Sequence, residues 1–195
     1  FIDENGLDLN IPMRKPSKEG DVLEDFLSGK IEFVFSSFIM RRVCFDKVGL
    51  FDENLTAAED LDIILRLASY GCKFSYIPKP LIKYRLREGI SSDPERIVKN
   101  ISYVLDKYFD YNEKSKDGIF LKNIAYFTHL YYECCWHFYY RNDKRWMEHL
   151  IEAINSYPEI VKKENIFNEW FYNMIPLRER KNKIFMVGYI NFKKI

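Results

Sequence analysis

The clearest hydrophobic period in the chain begins at Leu61. Leu61, Ile64, Leu65 and Ala68 recur at helical spacing and predict a helix with one apolar face, closed by Gly71 just past its end. Thr56 and Glu59 have the Thr-x-x-Glu spacing of a capping box, which sets the expected start at about Ala57. Shorter patterns lie on either side. Val22, Leu23, Phe26 and Leu27 predict a short helix that Gly29 closes, and Ile31 to Met40 is rich enough in β-branched and aromatic residues to predict a strand. Arg41 to Val48 reads as another short helix, anchored by Phe45 and Val48 and ended by Gly49. Phe51-Asp52-Glu53-Asn54 then reads as a turn, in which Asp and Asn bond their own backbone. Lys73 to Ile77 and Leu81 to Leu86 are short strand candidates, and Pro78 and Pro80 confine them to an edge or a bend.

The pattern changes near Ser92. Asp93-Pro94-Glu95 is a helix start, with proline in the first turn. Helices are expected at about 94–109, 118–141, 144–156 and 159–174, with Asp117, Asp143 and Pro158 as start signals. Tyr131 to Pro158 looks like one tetratricopeptide-type helix pair. A single copy cannot stack, since such arrays need about three repeats, so a helical hairpin is expected. The division is residues 1–92, mixed α/β (α+β), and residues 93–195, an all-helical C-terminal region.

Composition narrows the function classes. The chain has 195 residues, 47% hydrophobic and 17% aromatic, enough for a core, and its net charge of +1 gives no electrostatic case for nucleic acid. No apolar run approaches the ~20 residues of a spanning helix. Cys44, Cys72, Cys134 and Cys135 lack Cys-x-x-Cys spacing and read as reduced, buried thiols of an intracellular protein. His129 and His137 stand eight apart without metal-site spacing and read as core or boundary histidines.

Candidate chemistry concentrates at the start of the 61–68 helix. Glu59 and Asp60 sit where a helix N-terminus favours carboxylates, so capping and catalysis both remain open for them. Asp62 and Arg66, four apart, fit a surface ion pair worth a few tenths of a kcal/mol.

The surrounding residues carry a resemblance. Ser36-Ser37-Phe38-Ile39-Met40-Arg41-Arg42, Phe45 and Val48-Gly49-Leu50-Phe51-Asp52-Glu53 precede Glu59-Asp60, Asp62 and Arg66. Gly71-Cys72-Lys73-Phe74, Tyr76-Ile77-Pro78, Pro80-Leu81 and Tyr84-Arg85 follow. In this order the series resembles the second half of the catalytic domain of inverting family 2 glycosyltransferases with the GT-A fold, over residues 1–92. The resemblance implies a partial GT-A-type mixed sheet with helices. It also implies transfer of a sugar from a nucleotide-sugar donor to the hydroxyl of a glycan or lipid-linked acceptor, as in polysaccharide biosynthesis. Asp60 would be the general base, because a hydroxyl is a poor nucleophile until a positioned carboxylate takes its proton. Glu59 would orient the acceptor or the loop, and Arg66 would hold Glu59 or Asp62. Ser36 and Ser37 would lie on the floor of the acceptor and sugar site, and Asp62, Arg66, Tyr84, Arg85 and Arg87 would complete the substrate-binding set. Where the family has Tyr-Arg-x-His, this chain has Arg87 in place of the histidine, and arginine ligates no metal. Either the metal is held without that ligand, or Arg87, with Arg85, balances diphosphate charge; a solvated surface arginine is the other reading of Arg87.

The family's nucleotide-binding units and Asp-x-Asp metal motif would precede Phe1. The chain is therefore expected to be a fragment, inactive alone, with the ligands of a manganese or magnesium ion mostly outside it. A cytoplasmic location is expected; contact with the inner face of a membrane and pairing with a second copy stay open. Two rivals also stand: a helical binding module, and a degenerate transferase without catalysis.

Overall fold

The computed structural model describes residues 1–10, 18–31, 34–85, 93–112, 116–132, 138 and 143–156. The chain divides into two compact units, residues 1–130 and 131–195.

The first unit is built round one buried helix. It contains α1 (Leu23–Leu27), α2 (Arg42–Val48), α3 (Glu59–Ser69), α4 (Pro94–Asn112) and α5 (Lys116–Ala125). On α3, Ile63 and Leu67 are buried as completely as Leu61, Ile64, Leu65 and Ala68, and Asp62 is buried with them. The expected single apolar face is thus an underestimate: a helix apolar nearly all round is a central helix. It is covered by α1, α2 and α4. From α4 come Ile97, Ile101, Val104, Leu105 and Phe109, the i, i+4, i+7, i+8 stripe that one helix face presents. Asp93 starts α4 as its sequence suggests, its carboxylate accepting the Arg96 amide at 3.2 Å ahead of Pro94. The chain after α5 continues as a turn of π-helix, Tyr126–Tyr132. There His129 is a satisfied core residue, its Nε2 2.9 Å from the Phe26 carbonyl and its ring against that of Phe26.

The capping box does not form. α3 begins at Glu59 after Ala58, which adopts a left-handed conformation (φ 58°, ψ 21°), and no side chain caps it. Thr56 is occupied elsewhere. Its amide donates to Asn100 Oδ1 at 3.0 Å, its hydroxyl accepts from Arg96 Nε at 3.1 Å, and its carbonyl accepts from the same guanidinium. A long-range partner on α4 has displaced the local one.

The expected mixed sheet does not form among the described residues. Among the described residues there are only isolated bridges: Ile2 with Asp8 and Arg85, and Gly20 with Phe74. Phe35–Ser37 is a turn of 3-10 helix, in which the Ser37 hydroxyl donates to the Val34 carbonyl at 2.6 Å and the Phe35 and Phe38 rings stack. Such local bonding competes with an extended strand. In the two proline-flanked segments, Phe74 and Arg85 each make a single bridge, and a strand persists only where a neighbour takes its successive N–H and C=O groups.

In the second unit, α6 (Arg145–Ser156) begins close to its expected position, and the Arg145 amide donates to the Asp143 carboxylate at 3.0 Å. The Arg145 guanidinium lies 4.5 Å from the buried Phe138 ring, on which the His149 ring stacks at 4.9 Å. The helix expected over 159–174, the tail beyond it, Cys134, Cys135, His137 and Arg87 lie outside the described residues.

Candidate functional site

The α2–α3 connection brings the candidate carboxylates together. Gly49 ends α2 with φ 80° and ψ 176°, a conformation in effect confined to glycine. The chain then turns at Asp52, whose Oδ1 accepts the Asn54 amide at 3.1 Å and the Asn54 side chain at 3.0 Å. It passes Thr56, held by α4, and enters α3 at Glu59.

Glu59 is exposed and Asp60 half-buried; Asp60 Oδ1 accepts the Leu61 amide at 2.8 Å. Asp62 is in a different setting. Its side chain is 3% exposed, and Arg66 grips Oδ2 through Nε at 3.0 Å and Nη2 at 2.6 Å. The same guanidinium donates to the Val48 carbonyl and, at 2.9 Å, to the Leu50 carbonyl. The Asp62–Arg66 pair is therefore no solvated surface pair but a brace between α3 and the end of α2.

Lys107 of α4 completes the brace. Its ammonium lies 3.1 Å from Asp62 Oδ1 and 2.7 Å from Asp52 Oδ2. The Lys107 hydrogen bond, with those from Asn54, holds the Asp52 carboxyl down at about 2. Burial alone would lower the Lys107 pKa, but its bonds to Asp52 and Asp62 outweigh that and raise it. Asp62, Arg66 and Lys107 also face an open cleft of about 420 Å³, walled by Lys47, Tyr70 and Tyr108. Asp60 lies about 200° round α3 from Asp62, so its carboxylate leaves the helix on the other side from this cleft.

The remaining candidates are spread over the first unit. Ser36 and Ser37 are exposed in the 3-10 turn. Tyr84 sets its ring edge-on to Phe1, with centroids 5.7 Å apart, and Arg85 donates to the carbonyls of Asp3 at 2.8 Å and Glu4 at 2.5 Å. Arg85 thus pins the first residues of the chain. Cys44 and Cys72 are half-buried free thiols, and burial, with the Cys44 thiol beside it, pushes the Cys72 thiol up. Among the described residues no three His, Cys, Asp or Glu side chains converge as a metal ion needs. Nor is any described helix long and apolar enough to cross a membrane.

Sequence reasoning missed Ala58, Arg96, Asn100 and Lys107. For the last two a signal exists. Asn100, Val104 and Lys107 fall on one line of α4 at helical spacing, so two polar residues border an apolar stripe. Polar groups so placed need partners from another element.

No curated protein and no solved structure gives a significant match to the chain. A family model does match, that of glycosyltransferase-like family 2, over residues 17–150. The matched span holds the Gly49–Asn54 loop, the Glu59–Asp60 helix start and the α4 residues that brace them, and by it the chain belongs to glycosyltransferase-like family 2.

Proposed function

We propose that the chain carries the acceptor-activating part of an inverting sugar transferase, with Asp60 as general base. Family membership supports a nucleotide-sugar donor and an acceptor as the substrates. The observation that carries the reading is the setting of Asp60: in the first turn of α3, half-buried, next to exposed Glu59, on a helix whose neighbouring carboxylate is locked in a brace. The acceptor oxygen attacks the anomeric carbon as the glycosyl–phosphate bond breaks, its proton passes to Asp60, and the nucleoside diphosphate leaves. Glu59 orients the acceptor. Asp62 and Arg66 keep the loop and helix in register, and Ser36 and Ser37 offer hydroxyls to the sugar.

The described residues do not fit the divalent cation that the family resemblance implies. We place its ligands outside them, and no step here runs through it. Arg85 bonds the backbone at Asp3 and Glu4 through Nη1, and its guanidinium is the group we assign to the leaving diphosphate.

The test is turnover of a panel of uridine, guanosine and thymidine diphosphate sugars, with and without manganese, by the wild type and Asp60→Asn. The substitution keeps shape and removes the base. Loss of transfer by about 10²–10⁴-fold, with an unchanged melting temperature, is the expected result; substantial surviving turnover by the variant sinks the assignment.

A further inference from the structure

Three features of the α2–α3 connection have one physical consequence. The start of α3 lacks a side-chain cap and is entered through left-handed Ala58, so no N-capping bond ties the loop to the first turn. The loop ahead of it is instead held from α4, at Thr56 by Arg96 and Asn100 and at Asp52 by Lys107. The helix itself is held from the same place, since Lys107 also bonds Asp62, two residues past Asp60. One ammonium, with a side chain 34% exposed, therefore joins the loop to the helix.

We propose that Lys107 is a positioning residue for the acidic start of α3. By tying Asp52 to Asp62 it fixes the register between the loop and the helix, and so the place of Asp60 relative to an acceptor. It touches no substrate itself. This rests on the function proposed above, with Asp60 as the group being positioned. The geometry favours a clamp over a mere surface charge pair. Asp62 is 3% exposed, its other oxygen is filled by Arg66, and Arg66 holds the opposite end of the same loop at Val48 and Leu50. Releasing Lys107 frees Asp52 while Leu50 stays tied to Arg66 and Thr56 to Arg96 and Asn100, so the loop would loosen between those points rather than detach.

The test compares the full chain with Lys107→Met and Lys107→Arg, by turnover of the nucleotide-sugar panel and by amide hydrogen exchange. The methionine variant is expected to lose at least tenfold in kcat with the donor KM within about twofold, and arginine should recover most of it. Protection should fall about tenfold or more at Asn54, Leu55 and Asp62, whose amides bond within the clamped segment, while Gly20 and Phe74, which bond each other, stay as they were. Unchanged kcat and unchanged exchange in the methionine variant overturn the proposal. So does a loss of protection spread evenly along the chain that arginine does not restore. If the wild type turns over none of the panel, the proposed reaction fails, and the exchange pattern alone decides whether Lys107 clamps the loop. If Lys107→Met does not fold, Asp52→Asn keeps the Lys107–Asp62 bond and weakens the loop side of the clamp. The same local loss of protection then supports the proposal, and none overturns it.

Discussion

Asp60 and Asp62 are the same residue type, two positions apart on one helix, and the protein sets them in different surroundings. Asp62 points into the unit, 3% exposed, with Arg66 on one oxygen and Lys107 on the other. Asp60, about 200° round the helix, stays half-buried at the first turn and accepts the amide of Leu61. Both Asp62 oxygens are thus filled by cations of its own unit, which leaves that carboxylate to architecture. Under the function proposed above, Asp60 is the carboxylate that meets the acceptor. Helical geometry sends Asp60 and Asp62 out in different directions, and Arg66 of α3 and Lys107 of α4 supply cations to Asp62; under the proposed function the first acid serves chemistry and the second architecture.

The comparison is broken most strongly at Asp62. In Asp62→Asn the two cations lose their shared anion inside the unit, and the amide cannot accept from both as a carboxylate does. Breaking a buried pair costs several kcal/mol, but Arg66 and Lys107 keep partial access to water at 24% and 34% exposure. The expected loss is therefore about 2–3 kcal/mol, a fall in melting temperature on the order of 10 °C. Asp60→Asn should leave the melting temperature alone. Thermal unfolding of the two variants side by side checks this, and equal shifts in both would erase the distinction.

How much of this contrast was legible in the sequence depends on range. The acidic helix, its end at Gly71 and the turn at Asp52 follow from local spacing, and each is present with small shifts in boundary. The proline at the start of α4 and its aspartate cap were equally local. What failed was local reasoning about residues claimed by distant partners. Thr56 has the sequence of a cap and is taken by Arg96 and Asn100, forty and forty-four residues on. Asp62 and Arg66 have the spacing of a surface pair, and burial by α4 makes them a brace. The strand readings of 31–40, 73–77 and 81–86 rested on side-chain type alone, and β-branched and aromatic residues specify a sheet only where neighbouring strands supply the ladder. Lys107 carries no motif at all; only its place beside an apolar stripe marks it.

A second way to sharpen the comparison is through the loop that Arg66 holds. In Gly49→Ala a Cβ would stand 3.7 Å from Arg66 Nη1, an ordinary contact, so crowding costs little. The backbone cost remains, because φ 80° with ψ 176° is strained for any residue with a Cβ. The expected loss is about 1–2 kcal/mol, smaller than at Asp62. Denaturant unfolding checks the size. Since relief of the strain shifts the carbonyls of Val48 and Leu50, the Arg66 side of the brace should loosen first, while Lys107 keeps its two carboxylates. If Gly49→Ala matches the wild type in stability, then the loop has another way to turn there and Arg66 is not bound to its present geometry.

The smallest effect is the acid limb of stability, and it separates the two cations. The Asp52 carboxyl is held at about 2, below its ordinary 3.8, first by the Lys107 hydrogen bond. A carboxyl whose pKa is lowered on folding stabilises the protein fully above the unfolded value and loses that stabilisation as pH falls through the folded one. Asp52 should therefore cost the protein on the order of 1–2 kcal/mol between about pH 4 and pH 2, after allowance for solvent screening at the partly exposed lysine. In Lys107→Met the carboxyl moves back toward its ordinary value but keeps its bonds from Asn54, so this contribution shrinks and the acid limb is shallower in that window. In Asp52→Asn it is absent, the titrating group being gone, and that limb should be the shallower of the two. Carboxyl titration by NMR on the wild type and Lys107→Met gives the direct reading. An Asp52 value that does not rise when the lysine is removed would mean that Asn54, not α4, holds this carboxylate, and the loop would then be set by its own turn.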